Sequence, residues 1–327
     1  MTTVGLPGVP ILVVLGPTGT GKTATAMAVA RALDGEIVGC DALQVYRGLD
    51  AATAKPTLAE RADVAHHLVD CVDPRVDFSM ADYVQAADEA IAGVLARGRV
   101  PLVVGGTGLY LRGLLRGFVE AAPRNPTLRA RLRRILERGG AKRLHAWLRR
   151  HDPASARRIA PTDVQRLMRA VEVVQADGRV WGERLDGGGN WSTAVERYRA
   201  LKVGLDRDRE QHARLLDRRV DAFFDGGLVC EVRGLLEQGV PRDANALRAI
   251  GYREVGFAIE RGVDPKGVRE EVRRNTRRLA KRQRSGGRSE PGLVWLDAGR
   301  PREELAKHIV ELWREHTEPS HSTTAGR

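Results

Sequence analysis

The stretch that decides the fold is Val9–Thr23, which reads VPILVVLGPTGTGKT. Its first part, Val9–Leu15, is mostly aliphatic and β-branched, as in a strand buried within a parallel sheet. The second part, Gly16–Thr23, matches GxxxxGK[ST], a pattern whose glycine-rich backbone directs N–H groups at phosphate oxygens. An alanine-rich helix is predicted over Lys22–Leu33. A strand, a phosphate loop and a helix in this order predict an α/β fold with a phosphate site.

Hydrophobic periodicity places further strands and helices along the chain. Strands are predicted at Glu36–Cys40, Pro101–Val104, Ala200–Leu205 and Leu293–Leu296, with a helix over Asp82–Arg97 between the first two. Later helices are predicted over Arg209–Gly226, Leu228–Gln238, Asn245–Arg261, Pro265–Arg284 and Arg302–His316. This alternation is typical of a parallel sheet with helices on both faces, as in phosphate-loop NTPases.

Residues 120–197 differ from the rest because helical periodicity replaces strand patterns. Helices with basic faces are predicted over Leu128–Arg138, Ala141–Arg150 and Asp163–Gln175, followed by a turn-rich stretch at 186–190. We therefore expect a catalytic core built from residues 1–119 and 198–316, and an all-helical insertion over 120–197. A disordered tail is expected over 317–327.

Composition excludes several classes of protein. The chain has 327 residues, of which 42% are hydrophobic, so it can bury a sizeable core. No apolar run approaches the roughly 18 residues that cross a membrane. The scattered cysteines Cys40, Cys71 and Cys230 exclude a disulfide scaffold and a cysteine-cluster metal site, and they favour a reducing cytoplasm. No repeat or heptad pattern suggests more than a monomer.

The formal net charge of +12 is concentrated in two segments. Residues 120–197 and residues 266–288 each carry a net +8, whereas the other segments are neutral or slightly acidic. Such blocks are typical of polyanion-binding surfaces, because each neutralised phosphate releases condensed counterions. A solvated, arginine-rich helix face explains the same charge equally well. Arginine outnumbers lysine 47 to 7, which suits bidentate phosphate contacts or reflects the composition of the source genome.

The phosphate loop predicts a ligand with phosphate groups but does not by itself define a reaction. Lys22 supplies a positive charge, and Thr23 supplies a hydroxyl that can ligate Mg²⁺. An ATPase normally adds a strand that ends in an acidic residue, but Pro101–Val104 runs into Gly-Gly-Thr. The strand-end carboxylate is instead Asp41. This favours a diphosphate that leaves over a nucleotide that is hydrolysed.

Polar residues at the carboxyl ends of parallel strands meet at one edge of the sheet, where ligands bind. Asp41 and Thr107 follow two such strands beside the phosphate loop. Asp41 is a candidate general base or an indirect Mg²⁺ ligand, and the alternative is a loop or helix cap. Gln44 and Tyr46 follow at alternate positions. They either reach a nucleic-acid base or pack within the loop.

Together these motifs resemble the tRNA dimethylallyltransferases, also called tRNA isopentenyltransferases, from about residue 11 to residue 297. The matching stretches are GPTGTGKT (16–23), CDALQVYRGLDAATAKP (40–56), HHLVDCVDP (66–74), PLVVGGTGLYLRGLL (101–115), DPASARRIAPTDVQRLMRAVEV (152–173), LRAIGYRE (247–254), TRRLAKRQ (276–283) and WLD (295–297). Their order and spacing are far more specific than the phosphate loop alone.

The resemblance implies transfer of the dimethylallyl group of dimethylallyl diphosphate to the exocyclic amino nitrogen of the adenosine 3′ to the anticodon, in tRNAs that read codons starting with U. It implies that Asp41 is the general base, that Thr107 lines the reaction channel and that Arg219 steadies the leaving diphosphate. The implied diphosphate-binding residues are Gly16, Thr18, Gly19, Thr20, Gly21, Lys22 and Thr23, and Thr23 is also the implied Mg²⁺ ligand.

The resemblance also implies a contact surface for tRNA, in which the helical insertion grips the anticodon stem-loop. The implied tRNA contacts are Asp41, Ala42, Leu43, Gln44, Thr107, Arg129, Gln165, Arg166, Arg169, Arg248, Gly251, Tyr252, Arg253, Lys281, Arg282 and Gln283. The chain departs from the family in three places. Ala42 replaces the usual serine, and Gly19-Thr20 replaces Ala-Ser. After Gln283, RSGGR (284–288) replaces a Thr-Trp-(Phe/Leu)-Arg continuation, so an aromatic platform is lost.

Two other functions fit part of the pattern. A related prenyltransferase could act on free adenine nucleotides, but a small substrate needs neither the basic insertion nor the Lys281-Arg282-Gln283 helix. A phosphate-loop kinase or NTP-driven RNA-binding module is the other alternative. The missing acid after Val104 argues against it.

Overall fold

The chain divides into two compact units. In this computed structural model the described residues are 8–118, 125–177 and 195–318. One unit comprises Met1–Leu115 with Glu196–Arg327, and the other comprises Arg116–Val195. The borders expected from the sequence, after residues 119 and 197, lie close by. The predicted turns at 186–190 and nearly all of the predicted tail, residues 319–327, lie outside the described residues.

The first unit is built on a six-stranded parallel sheet, which confirms the predicted fold class. The strands are β1 (Pro10–Leu15), β2 (Gly35–Cys40), β3 (His66–His67), β4 (Val100–Gly105), β5 (Arg199–Asp206) and β6 (Leu293–Asp297). Their order across the sheet is β3-β2-β4-β1-β5-β6, and every pairing is parallel. β3 was not predicted, because two residues are too few for a periodic pattern.

Helices connect the strands and form the second unit. They are α1 (Lys22–Leu33), α2 (Leu58–Asp63), α3 (Met80–Ala96), α4 (Gly108–Arg116), α5 (Pro126–His151), α6 (Pro153–Arg158), α7 (Val164–Asp177), α8 (Arg209–Asp225), α9 (Leu228–Glu237), α10 (Tyr252–Glu260), α11 (Arg269–Arg288) and α12 (Arg302–Thr317). Two 3₁₀ turns lie at Ala246–Arg248 and Pro265–Val268. The short helices α2, α4 and α6 were missed.

Two predicted helices are wrong in their extent. The predicted helix Asn245–Arg261 is a 3₁₀ turn followed by α10, because Gly251 between them has a φ of +95°. A φ in this range is incompatible with a continuous right-handed helix. The predicted helix Pro265–Arg284 begins with a separate 3₁₀ turn and extends four residues further, so Gly286 and Gly287 remain helical.

The core of the first unit has two parts. One lies between the sheet and the pair α1 and α12, where Leu12, Val14 and Trp313 are buried. The other packs the loop residues Tyr46 and Leu49 against α8, α9 and α10. The segment that follows β2 is therefore anchored on helices more than 170 residues away in sequence. This packing holds the residues after β2 beside the phosphate loop.

Every regular element among the described residues of the second unit is a helix, and the core of the unit includes Leu132, Leu148 and Leu167. Within α5, Gly140 has a φ of +66°, so the helix is interrupted between its two halves. The interruption falls where the sequence predicts one helix to end and the next to begin. Asn125 caps α5 by accepting a hydrogen bond from Leu128 N–H at 3.0 Å.

Candidate active site

The phosphate loop joins β1 to α1 at the carboxyl edge of the sheet. Gly16 has a φ of +149°, and a Cβ there would lie 2.4 Å from the carbonyl oxygen of Leu205, so only glycine fits against β5. The Pro17 carbonyl accepts hydrogen bonds from Thr20 Oγ1 at 2.9 Å and from Lys22 Nζ at 2.8 Å. These bonds define the turn and hold the lysine ammonium against its own loop.

Two cations and one carboxylate share the space beside this loop. Burial lowers the pKa of Lys22 to about 8, while the charge of Asp41 opposes the shift and that of Arg219 adds to it. Burial also lowers the pKa of Arg219, and Asp41 again opposes the shift. The site therefore holds two poorly solvated positive charges that a single carboxylate only partly balances. An anion bound between them would be stabilised.

Arg219 in particular presents an unused donor. Its Nε is buried and has no hydrogen-bond partner among the described residues. The guanidinium carbon lies 5.4 Å from the ring centroid of Phe223, one turn later on α8. A buried N–H without a partner is costly unless a ligand supplies an acceptor. This orphaned donor fits an oxygen-rich anion such as a diphosphate.

Asp41 leaves the end of β2 and is held by its own turn. Its Oδ1 accepts hydrogen bonds from Leu43 N–H at 2.9 Å and from Gln44 N–H at 3.4 Å. Ala42 N–H donates to Thr107 Oγ1 at 3.1 Å, which links the ends of β2 and β4. The structure thus shows the capping role that was one alternative for Asp41. It also places Asp41 within electrostatic reach of Lys22 and Arg219.

Gln44 and Tyr46 pack within their loop, as the second of the two interpretations held. The side-chain amide of Gln44 donates to the carbonyl oxygens of Thr53 at 3.0 Å and Ala54 at 3.1 Å. Tyr46 is 2% exposed, and its hydroxyl accepts a hydrogen bond from Phe78 N–H at 3.3 Å. Tyr46 therefore belongs to the core, whereas the half-buried Gln44 uses its amide group within the loop.

The consecutive residues Lys281, Arg282 and Gln283 point to three different places. Lys281 lines a basic cavity between α8 and α11, and Arg282 lines a smaller cavity beside Gly16 and Gly106. The Gln283 side chain accepts from Thr18 N–H at 2.8 Å and donates to the Gly106 carbonyl at 3.1 Å. Thr18 N–H is therefore not directed at a ligand. Within this structure, Gln283 supports the phosphate loop.

The predicted contacts at 248–253 are mostly engaged within the fold. Tyr252 is 0% exposed, so its side chain belongs to the core rather than to an RNA-facing surface. Its hydroxyl donates to Glu231 and accepts from Ala52 N–H at 3.3 Å. The Arg253 guanidinium donates to Glu254, whereas Arg248 is exposed. Burial, and to a lesser extent the charge of Glu231, raise the pKa of Tyr252 well above its ordinary value.

In the second unit, two of the predicted RNA-binding arginines hold a buried carboxylate instead. Arg129 contacts Glu172 at 2.5 Å, and Arg169 lies 3.6 Å from the other carboxylate oxygen. The Glu172 side chain is 1% exposed. Gln165 and Arg166 are exposed on the neighbouring face of α7. Sequence spacing alone does not distinguish an arginine that binds phosphate from one that neutralises a buried glutamate.

Two residues near the loop were missed by the sequence-based analysis. His212 is 2% exposed and lies 2.8 Å from the Thr18 carbonyl, and Arg284 contacts His212 in turn. Arg284 was noted only as a departure from the family pattern. His212 is a lone histidine in a helix, a pattern that gives no functional signal.

The described ranges 8–118, 125–177 and 195–318 contain no cluster of three or more histidine, cysteine or acidic side chains able to hold a metal ion. In the same ranges, no helix has the length and apolar character needed to span a membrane.

Fold and site together define a class: an α/β enzyme whose phosphate loop faces a strand-end carboxylate and a buried arginine across the sheet edge. Family comparison makes this more specific. A family model described as IPP transferase matches residues 44–289, and one described as isopentenyl transferase matches residues 9–70. The chain belongs to the IPP transferase family.

Individual relatives agree with this assignment. The chain is 44% identical over 286 residues to tRNA dimethylallyltransferase 1 of Trichlorobacter lovleyi, covering 88% of this chain and 93% of the relative. A solved tRNA isopentenylpyrophosphate transferase from Bacillus halodurans has a TM-score of 0.69 and 32% identity, covering 94% and 96% of the two chains. A eukaryotic dimethylallyltransferase acting on tRNA has a TM-score of 0.73 and 25% identity, covering 89% and 74%.

Proposed function

We propose that this protein transfers the dimethylallyl group of dimethylallyl diphosphate to the exocyclic amino nitrogen of the adenosine 3′ to the anticodon of tRNA. The observation that carries the proposal is the grouping of Lys22, Asp41 and Arg219 at the phosphate loop. Two poorly solvated, half-buried cations suit a diphosphate that gains charge as it leaves. One carboxylate beside them suits a proton transfer. The proposal is supported by a relative named tRNA dimethylallyltransferase and by a structural neighbour described as a dimethylallyltransferase acting on tRNA.

The reaction exchanges a carbon–oxygen bond for a carbon–nitrogen bond and transfers one proton. The bond between the allylic carbon and the diphosphate oxygen breaks, and its electron pair leaves with the diphosphate. The amino nitrogen forms the new bond to that carbon and loses a proton to Asp41. Lys22 and the Arg219 Nε–H stabilise the charge that develops on the leaving group in a poorly solvated site. Because both hydrogen bonds to Asp41 end on Oδ1, Oδ2 is the oxygen that takes the proton.

The site fits Mg²⁺ in one limited way. Thr23 lies in the first turn of α1, directly after Lys22, and its hydroxyl is a hard oxygen ligand. Since the described residues offer no acidic cluster, Thr23 would hold the ion together with diphosphate oxygens and water. When bound, the ion would neutralise part of the diphosphate charge. Because Thr23 offers a hard oxygen ligand beside the phosphate loop, we propose that Mg²⁺ is the cofactor.

A groove in the second unit supports tRNA as the acceptor. Its volume is about 970 Å³, and Arg131, Arg134, Arg138 and Arg143 line it together with Trp147. No carboxylate of the described residues lines this groove. Unopposed guanidinium groups around a half-buried aromatic ring suit the phosphate backbone and bases of RNA. A free nucleotide would use little of this surface, which favours tRNA over the smaller acceptor.

We further propose that the protein acts as a monomer in the cytoplasm. Cys40, Cys71 and Cys230 are all unpaired, and two of them are exposed. Exposed free thiols persist most readily in a reducing compartment.

A single assay tests the proposal. The protein is incubated with Mg²⁺ and dimethylallyl diphosphate, and with either unmodified tRNA or AMP, and the products are digested and analysed for prenylated adenosine. We expect prenylated adenosine from tRNA at the position 3′ to the anticodon, with AMP unchanged. Prenylated AMP with unmodified tRNA would contradict the tRNA proposal. ATP hydrolysis without prenyl transfer would contradict any prenyltransferase function.

A further inference from the structure

The backbone of Thr18 lies within the phosphate loop, and tertiary contacts hold both of its polar groups. Its N–H, in the peptide that joins it to Pro17, donates to Gln283 Oε1 at 2.8 Å, and its carbonyl oxygen, in the peptide that joins it to Gly19, lies 2.8 Å from His212 Nε2. Both partners come from outside the loop, from α11 and α8. The orientation of these two successive peptides is therefore imposed by tertiary contacts, and the local loop sequence does not determine it alone.

The hydrogen bonds of His212 determine its tautomer. The Thr18 carbonyl can only accept, so Nε2 must carry the proton. Nδ1 lies 3.1 Å from Nη2 of Arg284, which can only donate, so Nδ1 must be unprotonated. The neutral ring with its proton on Nε2 satisfies both contacts. In a doubly protonated ring, the Nδ1–H would face the N–H donor of Arg284, and this hydrogen bond would be lost.

Arg284 is itself anchored on the sheet. Its Nε lies 2.8 and 2.9 Å from the two carboxylate oxygens of Asp206, the last residue of β5, and its Nη2 donates to the Arg207 carbonyl at 3.3 Å. The guanidinium side chain is 12% exposed. Consecutive residues of α11 thus reach the backbone of Thr18 by two routes. Gln283 binds its N–H directly, and Arg284 acts on its carbonyl through His212.

The charges around His212 favour the neutral ring. Burial is the main cause that lowers the pKa of His212, and Arg284 and Lys22 also lower it. Asp206 and the Thr18 carbonyl act in the opposite direction. The cavity on the other side of His212 is lined by four further cations and by no carboxylate of the described residues. They are Arg209, Arg277, Lys281 and Arg288.

We propose that His212, Arg284 and Gln283 are positioning residues that hold the backbone at Thr18, and with it the phosphate loop, in the shape required for binding the diphosphate. None of the three is required to touch the substrate. Their effect is on the preorganisation of the loop, because a loop fixed in its binding shape loses less conformational entropy when the ligand binds. This inference rests on the proposed function, since it takes the ligand of the loop to be a diphosphate.

The test compares three variants by calorimetric binding of inorganic diphosphate with Mg²⁺. His212→Leu removes both hydrogen bonds at similar volume, and His212→Gln keeps a donor for the Thr18 carbonyl but does not titrate. His308→Leu, on the exposed face of α12, is the matched control. We expect His212→Leu to weaken binding about fivefold to tenfold, the effect of one or two neutral hydrogen bonds. His212→Gln should bind close to wild type at pH 7.5, and His308→Leu should be unchanged.

The pH profile separates positioning from a general structural role. Since the pKa of His212 is lowered, its neutral form and its contacts are complete at neutral pH and are lost as pH falls below that lowered pKa. Wild-type affinity for diphosphate should fall in that range, and His212→Gln should lack this component. In steady-state kinetics, His212→Leu should raise KM for dimethylallyl diphosphate and leave the affinity for tRNA unchanged.

Three results would overturn the inference. They are unchanged diphosphate binding by His212→Leu, an equal loss of tRNA affinity in that variant, and a wild-type acid profile in His212→Gln. If His212→Leu does not fold, the inference is tested by the pH dependence of diphosphate affinity in His212→Gln alone. Failure of wild-type protein to transfer the prenyl group would instead contradict the proposed function, and the variant comparison distinguishes the two cases.

Discussion

At the residue scale, the carboxyl group of Asp41 combines two roles through its two oxygens. Oδ1 accepts from the backbone of Leu43 and Gln44 and so fixes the turn after β2. The same carboxylate is close enough to Lys22 and Arg219 to oppose the pKa shifts that burial causes in both. A carboxylate held rigidly by one oxygen is well placed to receive a proton on the other.

Replacing Asp41 with asparagine tests whether one carboxylate oxygen holds the turn while the other accepts the proton. Asp41→Asn keeps an oxygen for the turn but removes the base, so we expect kcat for prenyl transfer to fall by roughly 10²- to 10⁴-fold. Affinity for tRNA should persist. Single-turnover transfer and tRNA binding measured on the same preparation check both expectations. Asp63→Asn, on the exposed helix α2, is the control and should behave as wild type. Near-normal turnover in Asp41→Asn would remove Asp41 as the base.

At the element scale, α11 shows how one basic helix divides its charges. On one face, Arg269 and Arg273 pair with Asp221 of α8 at 3.0 and 2.5 Å, and Arg277 pairs with Asp217 at 2.9 Å. The opposite face presents Arg274 and Arg278 to solvent. Part of the net +8 charge of residues 266–288 is therefore used in ion pairs that hold α11 against α8. The ion pairs with α8 match neither interpretation made from the sequence, and the exposed face fits either a polyanion-binding surface or a solvated helix face.

The start of β2 offers a second example of an element held by charge. Glu36 has a side chain that is 3% exposed, and it contacts Arg97 at 2.7 Å, His67 at 2.6 Å and Arg99 at 3.3 Å. The hydrogen bond from Arg97 is the main reason that the pKa of Glu36 is lowered to about 2. Glu36 thereby ties β2 to β3 and to the segment between α3 and β4.

This network predicts a specific acid sensitivity. A carboxylate with a lowered pKa stabilises the fold above its ordinary pKa near 4.5, and that stability is lost as pH falls towards about 2. Glu36→Gln should reduce the unfolding free energy by about 2 kcal/mol at pH 7, because the partly exposed arginines lose a charged hydrogen-bond partner. The difference from wild type should narrow between pH 4.5 and pH 3. Denaturant titrations at several pH values check this, and a constant difference would contradict it.

At the scale of the whole molecule, charge and function are distributed over two units. The first unit holds the phosphate loop, Asp41 and Arg219, and the second holds the arginine groove. Within the second unit, Arg129 is 13% exposed and neutralises Glu172, whereas Arg134 and Arg138 are exposed and line the groove. RNA affinity should follow the groove arginines.

The corresponding experiment uses two charge-matched double variants of α5. Arg134→Ala with Arg138→Ala should weaken tRNA binding and reduce the slope of log affinity against log salt by about 2, roughly one for each lost phosphate contact. Arg149→Ala with Arg150→Ala, exposed on the same helix outside the groove, should have a smaller effect. Equal losses in the two variants would show that general charge, not the groove, attracts RNA.

Arg129→Ala should mainly lower the unfolding free energy, by about 3 kcal/mol.

Much of the fold could be predicted because the signals are local. Strand patterns, the phosphate loop and the extent of α1 follow from the order of neighbouring side chains. The predicted helix Asn245–Arg261 is also wrong for a local reason. Gly251 has a positive φ, which breaks the helix, and the sequence pattern does not indicate that conformation. The elements missed were those of two to nine residues, in which no hydrophobic period has room to repeat.

The sequence by itself determined the parallel α/β sheet, the phosphate loop and the positions of Lys22 and Asp41 at the strand ends, and the family resemblance added Arg219. Only the tertiary structure decided which polar side chains are free for ligands and which are used within the fold. Gln283 lies 265 residues from Thr18, and Arg129 lies 43 residues from Glu172. The physical reason is that a hydrogen bond or ion pair depends on distances of a few ångströms. Those distances are set by the packing of elements that are far apart in sequence.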